Sequence, residues 1–257
     1  MSEQALAPFS LAGKTALITG ASSGIGQAQS IALAKAGASV VLVGRRKDAL
    51  AATAESVKAF NGTSLVLPFD LEDRTALAQL RIEAMKLTGG VDIVVNAAGV
   101  NLREPADQIT PESWDTTLNL NLSVPFFLAR EFVPYMQSNG WGRIINIASL
   151  QTERAFANGM AYGASKGGIG QVTRAMAESW SASGIACNAI APGFFPTGLT
   201  APVYEQKELT DKLAAQTAIG RNGELEDLHG ITVFLASPAS NYITGQIIYV
   251  DGGFTAK

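Results

Sequence analysis

The chain is poor in the residues that carry metal, redox and charge-driven chemistry. Its 257 residues include one cysteine, Cys187, and one histidine, His229. A lone cysteine cannot close an internal disulfide, and that pair cannot build a zinc site of the usual Cys/His kind, so no metal is expected. The single cysteine fits a reducing compartment. No run of five like charges occurs and the formal net charge is -3, which leaves no basic footprint for nucleic acid. No stretch approaches the roughly 18 consecutive apolar residues of a membrane span. Met1 to Ser10 has no apolar core of the signal-peptide kind. A cytoplasmic location without nucleic-acid or membrane partners is therefore expected. Repeats of 20 to 50 residues and low-complexity linkers are also missing, so residues 1–257 are expected to form one domain.

Hydrophobic residues make up 47% of the chain, enough for a large core. Short β-branched runs alternate with longer helical stretches. Strands are expected at Thr15–Thr19, Val40–Val43, Ser64–Leu67, Val91–Val95, Arg143–Ile147, Ile185–Ile190 and Gln246–Val250. Helices are expected between them, with Gly37 closing the first and Thr110-Pro111-Glu112 opening the fourth. The strand runs are apolar without strict alternation, as when both faces of a parallel sheet are covered. The pattern predicts an α/β fold, one doubly wound Rossmann-type domain with helices on both faces. Pro192 to Gln216 is the least regular stretch and a candidate lid.

The turn after the first strand reads Thr19-Gly20-Ala21-Ser22-Ser23-Gly24-Ile25-Gly26. Gly20 allows positive φ, and Gly24 and Gly26 let backbone and helix approach a pyrophosphate. The helix N-terminus beyond offers free N–H groups. After the second strand, where NAD-binding folds place a ribose-holding carboxylate, the chain reads Val43-Gly44-Arg45-Arg46. Arginine meets a 2′-phosphate bidentately, and Ser22 can bond the ribose or phosphate, so NADP(H) is expected in preference to NAD(H). Ser23 stands where a basic residue would strengthen that choice. Tyr162 and Lys166, four apart on one helix, share a face. An ammonium beside a phenol is expected to lower its pKa and ready it for proton transfer. Ser149, at the carboxyl end of the fifth strand, can hold a substrate oxygen beside Tyr162.

These elements resemble the short-chain dehydrogenase/reductase family. The motifs are Gly20-x3-Gly24-x-Gly26; Asn96-Ala97-Ala98-Gly99, with Ala97 in place of a second asparagine; Asn121-Leu122-Ser123; Ser149 placed 13 residues before Tyr162-x3-Lys166; and Pro192-Gly193 followed by Thr197. The resemblance covers the chain from about residue 10 onward. It implies a seven-stranded parallel sheet in order 3-2-1-4-5-6-7 and a homotetramer. It makes Asn121, Ser149, Tyr162 and Lys166 the catalytic set, with Asn121 kinking its helix and holding a water that relays protons to Lys166. Lys166 would also hold the nicotinamide ribose, Asp70 and Leu71 would border the adenine, and Asn96, Ala98, Gly99, Pro192, Gly193 and Thr197 would line the cofactor.

By the same resemblance three segments line the substrate pocket, and they offer Arg103, Gln151, Arg154, Asn158 and Phe194. Donors and acceptors of this kind suit a hydroxylated, carboxylated small molecule. Within the family the sequence looks most like the gluconate 5-dehydrogenase and 2-deoxy-3-ketogluconate dehydrogenase branch. That implies oxidation of a secondary alcohol on a sugar acid or polyol. A 3-oxoacyl-thioester reductase or general carbonyl reductase shares every motif, and a non-catalytic NADP(H) sensor shares the glycine turn.

Overall fold

The computed structural model describes residues 6–257. Seven strands form one sheet in order β3-β2-β1-β4-β5-β6-β7. They are β1 (Thr15–Thr19), β2 (Ser39–Gly44), β3 (Ser64–Pro68), β4 (Ile93–Asn96), β5 (Gly142–Ile147), β6 (Ile185–Pro192) and β7 (Ile247–Val250). Every neighbouring pair is parallel. The sheet is a Rossmann-type one, and each strand lies within two residues of its expected position.

Period-two alternation feeds two cores. Leu17, Val41, Val43, Val94 and Ile144 point to one face, where they meet α3 (Leu77–Thr88), α5 (Val124–Ser138) and α6 (Met160–Trp180). Ala16, Ile18, Val40, Leu42, Val95 and Ile145 point to the other, against α1 (Gly24–Lys35), α2 (Lys47–Lys58) and α8 (His229–Ala236). Both faces are covered, which is why the strands carry no polar alternation.

Two stretches depart from the sequence pattern. The long fourth helical region is α4 (Pro111–Leu118), a π-turn (Asn119–Ser123) and then α5. Such an extra residue in one turn re-aims the side chains that follow it. Pro192–Gln216, the expected irregular stretch, instead holds a helical turn at Ala201–Tyr204 and α7 (Lys207–Gln216). Its short amphipathic helices bury only Val203 and Leu213, so their periodicity is faint in the sequence. No helix among the described residues is long and apolar enough to cross a membrane.

The sheet order reverses between β1 and β4. Open α/β sheets bind ligands at this point, outside the carboxyl ends of the strands.

Candidate active site

A cleft of about 470 Å³ opens at that reversal. Its glycine-turn half is built largely from backbone. Gly20 has φ +66°, and a Cβ there would lie 2.9 Å from the Ala98 backbone. A Cβ at Gly26 would sit 2.5 Å from the Gly20 carbonyl oxygen. Only glycine lets β1, its turn and α1 pack this closely. Ser23, in extended conformation at the N-cap of α1, makes no capping bond with its side chain. The first N–H groups of α1 thus lack a side-chain cap, an arrangement that suits a pyrophosphate. Ser22, Ser23, Gly24, Ile25, Asp70, Leu71, Ala98, Gly99, Pro192, Gly193 and Thr197 all line the cleft. These residues fit a dinucleotide.

The two arginines after β2 differ. Arg46 reaches back across the glycine turn and donates to Ser22 Oγ at 3.0 Å and Ser23 Oγ at 2.8 Å. Arg45 donates to Glu72 Oε1 at 2.9 Å. The sequence had shown no carboxylate at the ribose end. The fold supplies one by bringing Glu72, just beyond β3, into the cleft wall. Asn96 needs a correction in the other direction. Its side chain is buried and donates to Asn146 Oδ1 at 2.8 Å and the Pro125 carbonyl at 3.2 Å. It ties β4 to β5 and α5, and it does not line the cleft.

At the floor of the cleft stand Tyr162 and Lys166 of α6. The Lys166 ammonium is 5.5 Å from the centre of the Tyr162 ring and donates to the Ile147 carbonyl at 2.6 Å. Burial pushes Lys166 down to about 8. Burial also raises the Tyr162 pKa, opposed by a hydrogen bond from Ser149 and by the Arg103 charge. This balance runs against the expected acidification of the phenol by Lys166. Desolvation outweighs the charges that face the phenol, and the cation that counts among them is Arg103. Ser149 is extended, and its Oγ accepts the Gln151 N–H at 3.1 Å as it opens the turn after β5.

Asn121 sits in the π-turn, 1% exposed. Its carboxamide accepts from Val100 N at 2.9 Å and donates to the Val100 carbonyl at 2.8 Å and Ser165 Oγ at 3.1 Å. Ser165 in turn donates to the Tyr162 carbonyl at 2.6 Å. The side chain is buried and does not itself line the cleft. It clasps the loop after β4 to the helix that carries Tyr162.

The rim opposite the glycine turn mixes polar and apolar side chains. Arg103, Gln151, Asn158 and Phe194 line it, joined by Phe156, Leu199 and Thr200, which sequence reasoning had not selected. Arg103 and Asn158 hold φ of +55° and +57°, a region that non-glycine residues enter at some cost. Strain of this kind gathers at functional sites. Gln151 Oε1 is buried with no partner. Arg154 is the exception: it points away, donates to the carbonyls of Thr255 and Lys257, and lies over Phe254. A long side chain beside a chain segment rich in free carbonyls follows them, and nothing in local sequence announces that direction.

Residues 20–255 match the family model described as enoyl-(acyl carrier protein) reductase. The chain is 37% identical over 249 residues to gluconate 5-dehydrogenase of Gluconobacter oxydans, covering 97% of each. It is 37% identical over 254 residues to 2-dehydro-3-deoxy-D-gluconate 5-dehydrogenase of Escherichia coli, covering 98% of this chain and 99% of that one. Among solved structures, a gluconate 5-dehydrogenase from Burkholderia cenocepacia in complex with NADP and tartrate superposes with a TM-score of 0.94. That structure shares 35% identity and covers 98% of this chain and 99% of that one.

Proposed function

The chain belongs to the short-chain dehydrogenase/reductase family, and from that premise we propose an NADP(H)-dependent oxidoreductase that interconverts a secondary alcohol and a ketone on a sugar acid. The observation that carries this reading is the buried Lys166 beside the half-buried Tyr162 ring, between the glycine turn and a rim bearing Arg103. The nicotinamide cofactor, when bound, supplies or removes the hydride. Everything else is the work of this chain's own side chains.

In reduction, the Tyr162 phenol donates its proton to the substrate oxygen as the carbonyl becomes an alcohol. Its raised pKa keeps it protonated near neutral pH, the form this step needs. In oxidation the phenol oxygen must receive the alcohol proton, so that direction gains as pH rises. Ser149 holds the reacting oxygen beside the phenol. Lys166, with a pKa of about 8, is charged at neutral pH and returns a proton towards Tyr162. Asn121 acts through position: it fixes the loop after β4 against α6.

The substrate carboxylate is held by the Arg103 guanidinium, and its hydroxyls by Gln151 and Asn158. Arg103, Gln151 and Asn158 on that rim favour a sugar acid over an acyl thioester, the reading that the family model's description raises. A sensor without turnover has no use for the Tyr162–Lys166 pair. By the same reasoning we place the enzyme in the cytoplasm as a single-domain homotetramer.

Assays with NADP⁺ against a panel of sugar acids, neutral polyols and acyl thioesters test the proposal. Turnover of at least one sugar acid, in preference to its neutral polyol, is expected. Turnover of acyl thioesters alone overturns it.

A further inference from the structure

We propose that Glu72 sets cofactor selectivity by restraining Arg45 in competition with the 2′-phosphate of NADP(H), so that the enzyme also accepts NAD(H). The inference rests on the reading that a dinucleotide occupies the glycine-turn half of the cleft.

The argument starts from the unlike partners of the two adjacent arginines. Arg46 is bonded only to the hydroxyls of Ser22 and Ser23, which carry no charge. Its positive charge is available to an anion, and the hydroxyls beside it offer further bonds. Arg45 is paired with a carboxylate at 2.9 Å, and both members of the pair are exposed. Glu72 is held in place by its backbone: its N–H donates to Asp70 Oδ1 at 3.0 Å, and its carbonyl accepts from Asn119 Nδ2 at 2.8 Å. The backbone that carries the Glu72 carboxylate is thus anchored within reach of Arg45 in the cleft wall.

A phosphate monoester carries about 1.5 to 2 negative charges at neutral pH. One arriving beside Arg46 meets the Glu72 carboxylate nearby and must take Arg45 from it. NAD(H) has a neutral hydroxyl at the same position and meets neither obstacle. Arg46 and the serine hydroxyls favour NADP(H), while Glu72 reduces that preference.

The test measures dissociation constants of NADPH and NADH by the fluorescence of the bound nicotinamide at low salt, where charge effects are least screened. This needs no knowledge of the substrate. Glu72→Gln removes the charge at an exposed position. It is expected to bind NADPH about twofold to fivefold more tightly, the scale of an exposed ion pair, with NADH essentially unchanged. In the Glu72→Gln/Arg45→Gln double variant the NADPH gain should vanish.

NADPH binding that is unchanged or weaker in Glu72→Gln overturns the proposal. So does equal tightening of both cofactors, or a gain that survives the loss of Arg45. A parent enzyme that binds NADH more tightly than NADPH would instead overturn the cofactor preference. The selective response of the Glu72 variant would still decide the role of Glu72.

Discussion

The two halves of the cleft are built by different means. The half proposed to bind the cofactor is built largely of backbone, namely glycine turns, an uncapped helix N-terminus and strand ends, with Arg45, Arg46 and Glu72 at its edge. The half proposed to bind substrate is made of side chains carried on loops: Arg103, Gln151, Asn158, Phe156 and Phe194. The first kind of site leaves a local mark, because only glycine permits its conformation and packing. The second depends on where a flexible side chain points once distant segments have met.

That contrast decides what could be read in the sequence. The strands and the Gly20–Gly26 turn were legible because each follows from local pattern, and the strand order came with the family resemblance of the motifs. Tyr162 and Lys166 were legible because a helix puts residues four apart on one face. The direction of Arg154 was not, since its partners lie about a hundred residues away at Thr255 and Lys257. Asn96 was misassigned for a related reason: its neighbours Ala98 and Gly99 face the cleft, while its own side chain turns inward to Asn146. Glu72 escaped notice because only the fold brings the end of β3 up to Arg45. The sign of the Tyr162 shift was missed because burial depends on the whole assembly of the cleft and cannot be judged from helix spacing.

The comparison can be broken at the backbone half first, where the largest effect is expected. Gly26→Ala places a methyl 2.5 Å from the Gly20 oxygen, with backbone on both sides and nothing flexible to yield. The turn must shift. Loss of about 1–3 kcal/mol of stability, the usual scale of overpacking, should accompany a large loss of NADPH binding. Thermal melting and NADPH titration read the two effects, and unchanged NADPH affinity would break the account of this half.

Lys166 gives a pH test of intermediate size. Its pKa falls from 10.5 unfolded to about 8 folded, so the buried charge opposes folding below pH 8. Between those values the unfolded chain holds a proton that the folded one has released, so stability rises with pH across that window. Denaturant melts of the cofactor-free protein should show this rise relative to Lys166→Met, by about 3 kcal/mol when the window is fully crossed.

The smaller effects sharpen the substrate half. Arg103→Gln should raise KM for a sugar acid about tenfold or more, the scale of a hydrogen bond to a charged group, with NADPH affinity little changed. Arg154→Gln should change the same KM less than about twofold, since its bonds are exposed and face the chain end. A larger effect at Arg154 than at Arg103 would reverse the assignment of the rim.

The most direct test of the proton step is Tyr162→Phe, assayed for NADPH-driven ketone reduction alongside NADPH binding. Removing one oxygen from a half-buried ring leaves the cleft its shape. Turnover is predicted to fall by about 10² to 10⁴, the span of general acid catalysis, while NADPH affinity stays within a few-fold. A variant that keeps most of its turnover would show that another group delivers the proton.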